Sequence, residues 1–271
     1  MSAWRLSVLG GTKLGDGSSA HALERKTAAL LAYLALEGAT SRSKLAGLLW
    51  PETSEKTARN NLSQLLRRLR GLTGEVLVTG GDLLTTSPEL EVDAAAIKVA
   101  MFAGDYQGVI ALSGELLPND YDDLSDFADW LYAERESLTG LRSRALHAEL
   151  NQLEEAGAYP DALALSERLL ALDPVAEEAH RRAMRLHYLA GDRAGALRAF
   201  KRCQATLARE LGVEPLPETA RLAAEITRGQ ATVTPEAKPP SPQIPLRVLR
   251  PPVLVGRERE WARMEAAWQA G

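Results

Sequence analysis

Alternation and turn residues set the character of the first positions. Arg5, Leu6, Ser7, Val8 and Leu9 alternate, Gly10-Gly11 and Gly15-Asp16-Gly17 are turn signals, and 18–23 can pair back, so 5–23 reads as short strands. The period then lengthens. Apolar Ala28, Leu31 and Leu34, with Leu30 and Tyr33 beside them, predict a helix over 24–36 ended by Gly38. Ser41 can cap a second helix over 42–49 that Pro51 stops. Thr53 or Ser54 can cap a third over 55–72, ending near Gly74. Two short apolar runs, 75–79 and 82–86, flank Gly80-Gly81 and predict a hairpin. Strands, three short helices and a hairpin are the order of a winged helix-turn-helix over 1–93.

From 94 to 229 the pattern is helical throughout, and it repeats. Ala156-Gly157-Ala158-Tyr159 and Ala190-Gly191-Asp192-Arg193 open similar segments 34 residues apart, the tetratricopeptide period. Ala103-Gly104-Asp105-Tyr106 opens a third, 53 residues before the first of these, so an insertion containing Asp120 and Trp130 lies between. A lone helical hairpin cannot bury its apolar faces, and stacking is the expected solution. Over 138–153, Leu141, Ala145 and Ala148 lie on one side and Leu146, Leu150 and Leu153 on another, which suits the middle layer of a stack. Half of the fourteen prolines fall in 230–252, an extended linker. A further unit begins at 253–271. The expected class is mainly α: a winged helix with a small sheet, then an all-α tetratricopeptide-like domain.

Charge separates these parts. The chain of 271 residues has a net charge of −4, yet 42–70 holds seven basic residues against Glu52 and Glu55, while 94–229 is acidic. The basic run makes nucleic acid a candidate partner, and the acidic middle repels it. One cysteine excludes an internal disulfide framework and a cysteine-based zinc site. The start lacks the pattern of a signal peptide, and no uncharged apolar stretch approaches the ~20 residues that span a bilayer. A cytoplasmic location with no membrane partner is expected.

The third helix carries the sharpest chemistry. Ala58, Leu62, Leu65, Leu66, Leu69 and Leu72 share one side; Lys56, Asn60, Ser63, Arg67 and Arg70 share the other, with Arg59 flanking them. Lys and Arg can neutralise phosphates or take the guanine O6/N7 edge, and Asn can be bidentate to adenine. A solvated face is the competing reading of such a stripe; its place before a Gly-Gly hairpin favours DNA. Thr79, Gly80 and Gly81 would then meet the DNA backbone as a wing, although 75–86 has no Lys or Arg. Other candidates fall to plain structural readings. Cys203 shares a stripe with Ala196, Phe200, Leu207 and Leu211 and reads as core. His21, His147, His180 and His187 lack metal-ligand spacing, and the carboxylates from Asp120 to Asp129 lack the Gly and Glu of a calcium loop. No phosphate loop occurs, and no nucleophile, base and orienting group assemble, so no catalytic residue, metal or cofactor is expected.

Several short segments now carry a resemblance: Arg5-Leu6-Ser7-Val8-Leu9-Gly10, Leu30-Leu31-Ala32-Tyr33-Leu34-Ala35, Leu48-Leu49-Trp50-Pro51 and Leu65-Leu66-Arg67-Arg68-Leu69-Arg70. In that order they resemble the Streptomyces antibiotic regulatory protein family of transcriptional activators. Gly114-Glu115-Leu116-Leu117-Pro118, Trp130 with Ala133-Glu134-Arg135, Asp173-Pro174 and Leu211-Gly212-Val213-Glu214-Pro215 are similar to that family's activation domain. The resemblance implies an OmpR-type winged helix that binds promoter DNA, commonly as direct repeats, and a tetratricopeptide-like domain that helps RNA polymerase engage or supports a homodimer on DNA. It places the recognition helix on 53–72. The family's hairpin carries an aromatic where this chain has Asp82-Leu83. The tail, with Val255-Gly256-Arg257-Glu258, is similar to the opening of ATPase domains fused to larger activators, so the chain is expected to be either a short regulator with a remnant of that domain or, the favoured reading, a fragment of a longer one. Two rivals remain: an interaction scaffold with no DNA binding, and a regulatory arm of a signal-transduction ATPase.

Overall fold

The computed structural model describes residues 4–229 and Ala231. The linker read over 230–252 and the unit read over 253–271 lie outside the described residues, Ala231 apart. Strand β1 (Trp4–Ser7) pairs antiparallel with β2 (Lys13–Gly15), which pairs antiparallel with β3 (Ala20–Ala22). On its other edge β1 pairs in parallel with β7 (Leu90–Val92), with Leu6 opposite Val92. Alternation places Leu6 and Leu14 inward, both fully buried, and Arg5 outward, where it pairs with Glu91 at 3.1 Å.

Helix α1 (Arg25–Glu37) is buried at every position from Thr27 through Leu34. Helix α2 (Arg42–Leu49) starts at Ser41, whose Oγ accepts the Lys44 amide, and buries Leu45, Ala46 and Leu49. Its C-terminal end is closed by Lys26, which donates to the Leu49 carbonyl at 2.6 Å and lies 5.0 Å from the Trp50 ring centroid. Burial pushes that ammonium below its ordinary value. Helix α3 (Glu55–Thr73) packs on α2, and the hairpin of β5 (Val78–Thr79) and β6 (Leu83–Thr86) follows. Strand β4 (Thr40–Ser41), just before α2, pairs with β6 and completes a second small sheet of order β4-β6-β5.

The helical part runs α4 (Asp93–Ala103), α5 (Tyr106–Ala111), α6 (Ser125–Glu155), α7 (Tyr159–Leu172), α8 (Glu177–Leu189), α9 (Arg193–Glu210) and α10 (Pro217–Arg228). The expected Ala-Gly turns join α4 to α5, α6 to α7 and α8 to α9. The long α6 is the middle layer. Its Leu138, Leu141 and Ala145 join the core that begins at Trp4, and its Leu146, Leu150 and Leu153 join a second core shared with α7 to α10. Cys203 is fully buried beside Ala199 and Leu207 on α9. Leu211 departs from its expected stripe and is exposed, because α9 ends one residue earlier and Leu211 is its C-cap.

The insertion between the first two helical hairpins returns to the N-terminal sheet. The Gly10 amide donates to the Glu115 carbonyl and the Leu117 amide to the Val8 carbonyl, each at 2.8 Å, and Leu9 bridges Leu116. Arg135 of α6 holds that segment, donating to the Leu116 carbonyl at 2.9 Å and pairing with Glu115 at 2.8 Å. Asp93, in the first turn of α4, accepts the Ala94 amide at 2.7 Å and the Val8 and Leu9 amides at 3.0 and 3.2 Å. Asp123, among the carboxylates that lack the calcium-loop pattern, pairs with Arg25 of α1 at 2.5 Å, and Trp130 Nε1 donates to Glu37 at 2.8 Å. Tyr33, Trp130, Phe127 and Tyr121 form a run of ring contacts with centroids 4.7–5.1 Å apart, so aromatic packing spans α1 and α6.

Candidate nucleic-acid interface

The polar stripe of α3 lies where the period placed it. Ser54 caps the helix, its Oγ accepting the Thr57 amide, and Glu55 in the first turn and Arg70 in the last both suit the helix dipole. Ala58, Leu62, Leu65 and Leu69 are at most 4% exposed and fix the rod against the core. Leu72 departs from this face: it is 43% exposed, one residue short of the helix end, where the core no longer reaches it. Leu66 is half-buried.

With the apolar side locked inward, Lys56, Arg59, Asn60, Ser63, Arg67 and Arg70 are all exposed. Arg59 lies 3.8 Å from Glu55, a solvent-exposed pair of small energetic weight, and Glu55 also accepts from Ser43 at 3.2 Å. Ser63 returns its hydroxyl to the Arg59 carbonyl at 2.9 Å. Lys56, Arg67 and Arg70 make no ion pair among the described residues. Arg68, which the sequence reading left off the stripe, turns instead to Glu24 at 3.4 Å. The helix therefore offers unneutralised cations on one side only.

The hairpin places Thr79, Gly80 and Gly81 at an exposed turn, with Val78 opposite Thr86 and Thr79 opposite Thr85. Gly80 has a φ of +115°, and a Cβ there would lie 2.0 Å from the Leu83 carbonyl oxygen, so the turn demands glycine. Leu84 and Leu77, both at most 2% exposed, seat the hairpin in the core, whereas Leu83 is 59% exposed. Packing of the wing thus rests on the following residue.

One contributor escaped the sequence reading. Arg42, the first residue of α2, donates from Nε to the Gly81 carbonyl at 2.6 Å, and its own amide donates to the Asp82 carbonyl at 2.9 Å. With Arg67 and Arg70 it lines a cleft of about 290 Å³ between the end of α3 and β5, floored by Leu66, Leu69, Leu77 and Val78. Its position in the basic run from 42 to 70 was the available signal. The pairing of β4 with β6, which brings it to the wing, was not. Lys56, Asn60 and Ser63 lie toward the other end of the stripe and do not line this cleft. Among the described residues, no group of His, Cys, Asp and Glu is arranged to hold a metal ion, and no helix is long and apolar enough to cross a membrane.

Comparison with known proteins bears on the helical part first. Residues 115–227 match the bacterial transcriptional activator domain. Over 254 residues the chain is 28% identical to the regulatory protein AfsR of Streptomyces griseus, covering 89% of this chain and 26% of that protein. The chain thus spans about a quarter of that relative's length. Its fold is similar to Mycobacterium tuberculosis EmbR, solved in complex with a low-affinity phosphopeptide, with a TM-score of 0.57, 22% identity, and coverage of 86% of this chain and 67% of that one. These likenesses accord with a mainly helical chain that carries a small N-terminal sheet and an activator-type helical domain.

Proposed function

We propose that this protein is a sequence-specific DNA-binding activator of the kind its sequence resembles, and that it docks α3 in the promoter major groove. The observation that carries the reading is the capped α3 rod, whose leucines are locked inward while Lys56, Arg67 and Arg70 stand exposed and without ion pairs among the described residues. Arg59, Asn60 and Ser63 complete the reading face, and Thr79, Gly80 and Gly81 approach the backbone as a wing. An α-helix fits the major groove of B-DNA, and Arg and Asn match guanine and adenine edges there. The acidic helical array, welded to the winged helix through Asp93, Glu115 and Asp123, turns a protein-binding surface to RNA polymerase or to a second copy on direct repeats. Function in the cytoplasm follows from the promoter as target.

The test is binding to a duplex that the full chain enriches from a random-sequence pool, followed by fluorescence anisotropy across salt. Three phosphate contacts from Lys56, Arg67 and Arg70 give a slope of log K against log salt near −2.7, at ~0.9 per contact. Raising salt fourfold then weakens binding about 40-fold. Arg67→Ala is expected to weaken binding and to flatten that slope by about 0.9, one phosphate contact. A chain that enriches no duplex, or binds with no salt dependence, is the interaction scaffold instead.

A further inference from the structure

The wing segment from 75 to 86 has no Lys or Arg and carries Asp82 near its tip. A hairpin of that composition repels phosphate rather than gripping it. The fold supplies a cation from elsewhere. Because β4 pairs with β6, Thr40 against Leu84 and Ser41 against Leu83, the residue after Ser41 is delivered to the root of the hairpin. That residue is Arg42. Its Nε is committed to the Gly81 carbonyl, and its amide to the Asp82 carbonyl, so the guanidinium is oriented by two bonds to the turn itself. The two terminal nitrogens have no hydrogen-bond or ion-pair partner among the described residues.

Arg42, Arg67 and Arg70 line the same cleft, so three arginines from two helices border it beside β5. Glu75, the carboxylate among the lining residues, already accepts from Trp4 Nε1 at 3.0 Å. Lys44, two residues further along α2, is drawn to the Tyr33 ring at 5.6 Å. The cleft is therefore a positively charged notch on an apolar floor, open between the recognition helix and the wing.

We infer that Arg42 is the phosphate-binding cation of the wing: it holds the Gly80-Gly81 turn with Nε and presents its terminal nitrogens, with Arg67 and Arg70, to a backbone phosphate of double-stranded DNA flanking the groove that α3 enters. The inference rests on the DNA-binding reading and adds to it a contact made outside α3. A guanidinium can hold a carbonyl with one edge and a phosphate with the other, which a lysine cannot do.

The test compares the full wild-type chain with Arg42→Gln and Arg42→Lys on the duplex that the wild type enriches, by anisotropy from 50 to 400 mM NaCl. Arg42→Gln is expected to flatten the salt slope by about 0.9, one phosphate contact. Arg42→Lys is expected to keep the wild-type slope, because the charge remains, while losing affinity through the released turn. Where the glutamine variant loses its native circular dichroism, Arg42→Met, which keeps the apolar stem, carries the same slope measurement. A glutamine or methionine variant that binds more weakly with the slope unchanged overturns the inference and leaves Arg42 a brace for the turn. In that case the wild type's own salt dependence leaves the DNA reading standing. A wild type that enriches no duplex removes both.

Discussion

Gly114→Ala probes the joint between the sheet and the helical part. Gly114 has a φ of +104°, where an L side chain is strained, and a Cβ there would lie 2.6 Å from the Gly10 nitrogen and 2.9 Å from the Leu9 carbonyl carbon. Both neighbours are backbone, so the clash is relieved only by parting the two segments. Parting them breaks the Gly10–Glu115 and Leu117–Val8 hydrogen bonds. Strain of ~1–3 kcal/mol and two bonds of about 1 kcal/mol each put the loss near 3–5 kcal/mol. With a urea m-value of about 2–3 kcal/mol/M, the unfolding midpoint drops by roughly 1–2 M. Gly11→Ala is the control: nothing lies within 4 Å of its Cβ, and its φ is not in the left-handed region. Its midpoint is expected to stay within about 0.3 M of the wild type. Two probes are followed together, tryptophan fluorescence, to which Trp130 on the joint contributes, and far-ultraviolet circular dichroism. Their transitions coincide in the wild type and separate once the joint is weakened. A Gly114→Ala midpoint within 0.3 M of wild type, with coincident transitions, refutes the idea that this contact welds the two parts.

Two further outcomes follow from single groups. Cys203 is fully buried, and burial pushes its thiol up to about 11, so the native chain is expected to resist a thiol reagent at pH 8 and to titrate one thiol in guanidinium; rapid labelling of native protein contradicts the packing of α9. The Arg25 guanidinium holds the Asp123 carboxyl below its ordinary value, so this pair stabilises the fold above that value and the contribution is lost as pH falls through the lowered one. The wild-type melting temperature is expected to fall more steeply than that of Asp123→Asn between about pH 5 and 3, by at most about 4 °C for a pair this exposed; parallel pH profiles contradict it.

Local rules made much of the candidate interface legible. The 3.6-residue period divided α3 into leucine and cation faces, Ser41 and Ser54 announced the starts of α2 and α3, and Gly80-Gly81 announced the hairpin. All of these depend on residues within a few positions of one another. Leu72 and Leu211 show where the period fails: it continues a stripe to the end of a helix, but it does not know how far the facing core extends.

By itself, the sequence determined the order of elements, the capped amphipathic rod and the helical hairpins, because propensity, capping and periodicity act over one or two turns of chain. Only the tertiary structure decided what those elements meet. Asp93 takes the Val8 and Leu9 amides, Asp123 takes Arg25, and Gly114 fits against Gly10, contacts that join residues some 85–105 positions apart. Arg42 reaches the wing through the register of β4 on β6. A shift of one residue in that register would turn the side chains to the other face, and nothing local in the chain records which register the packed core selects.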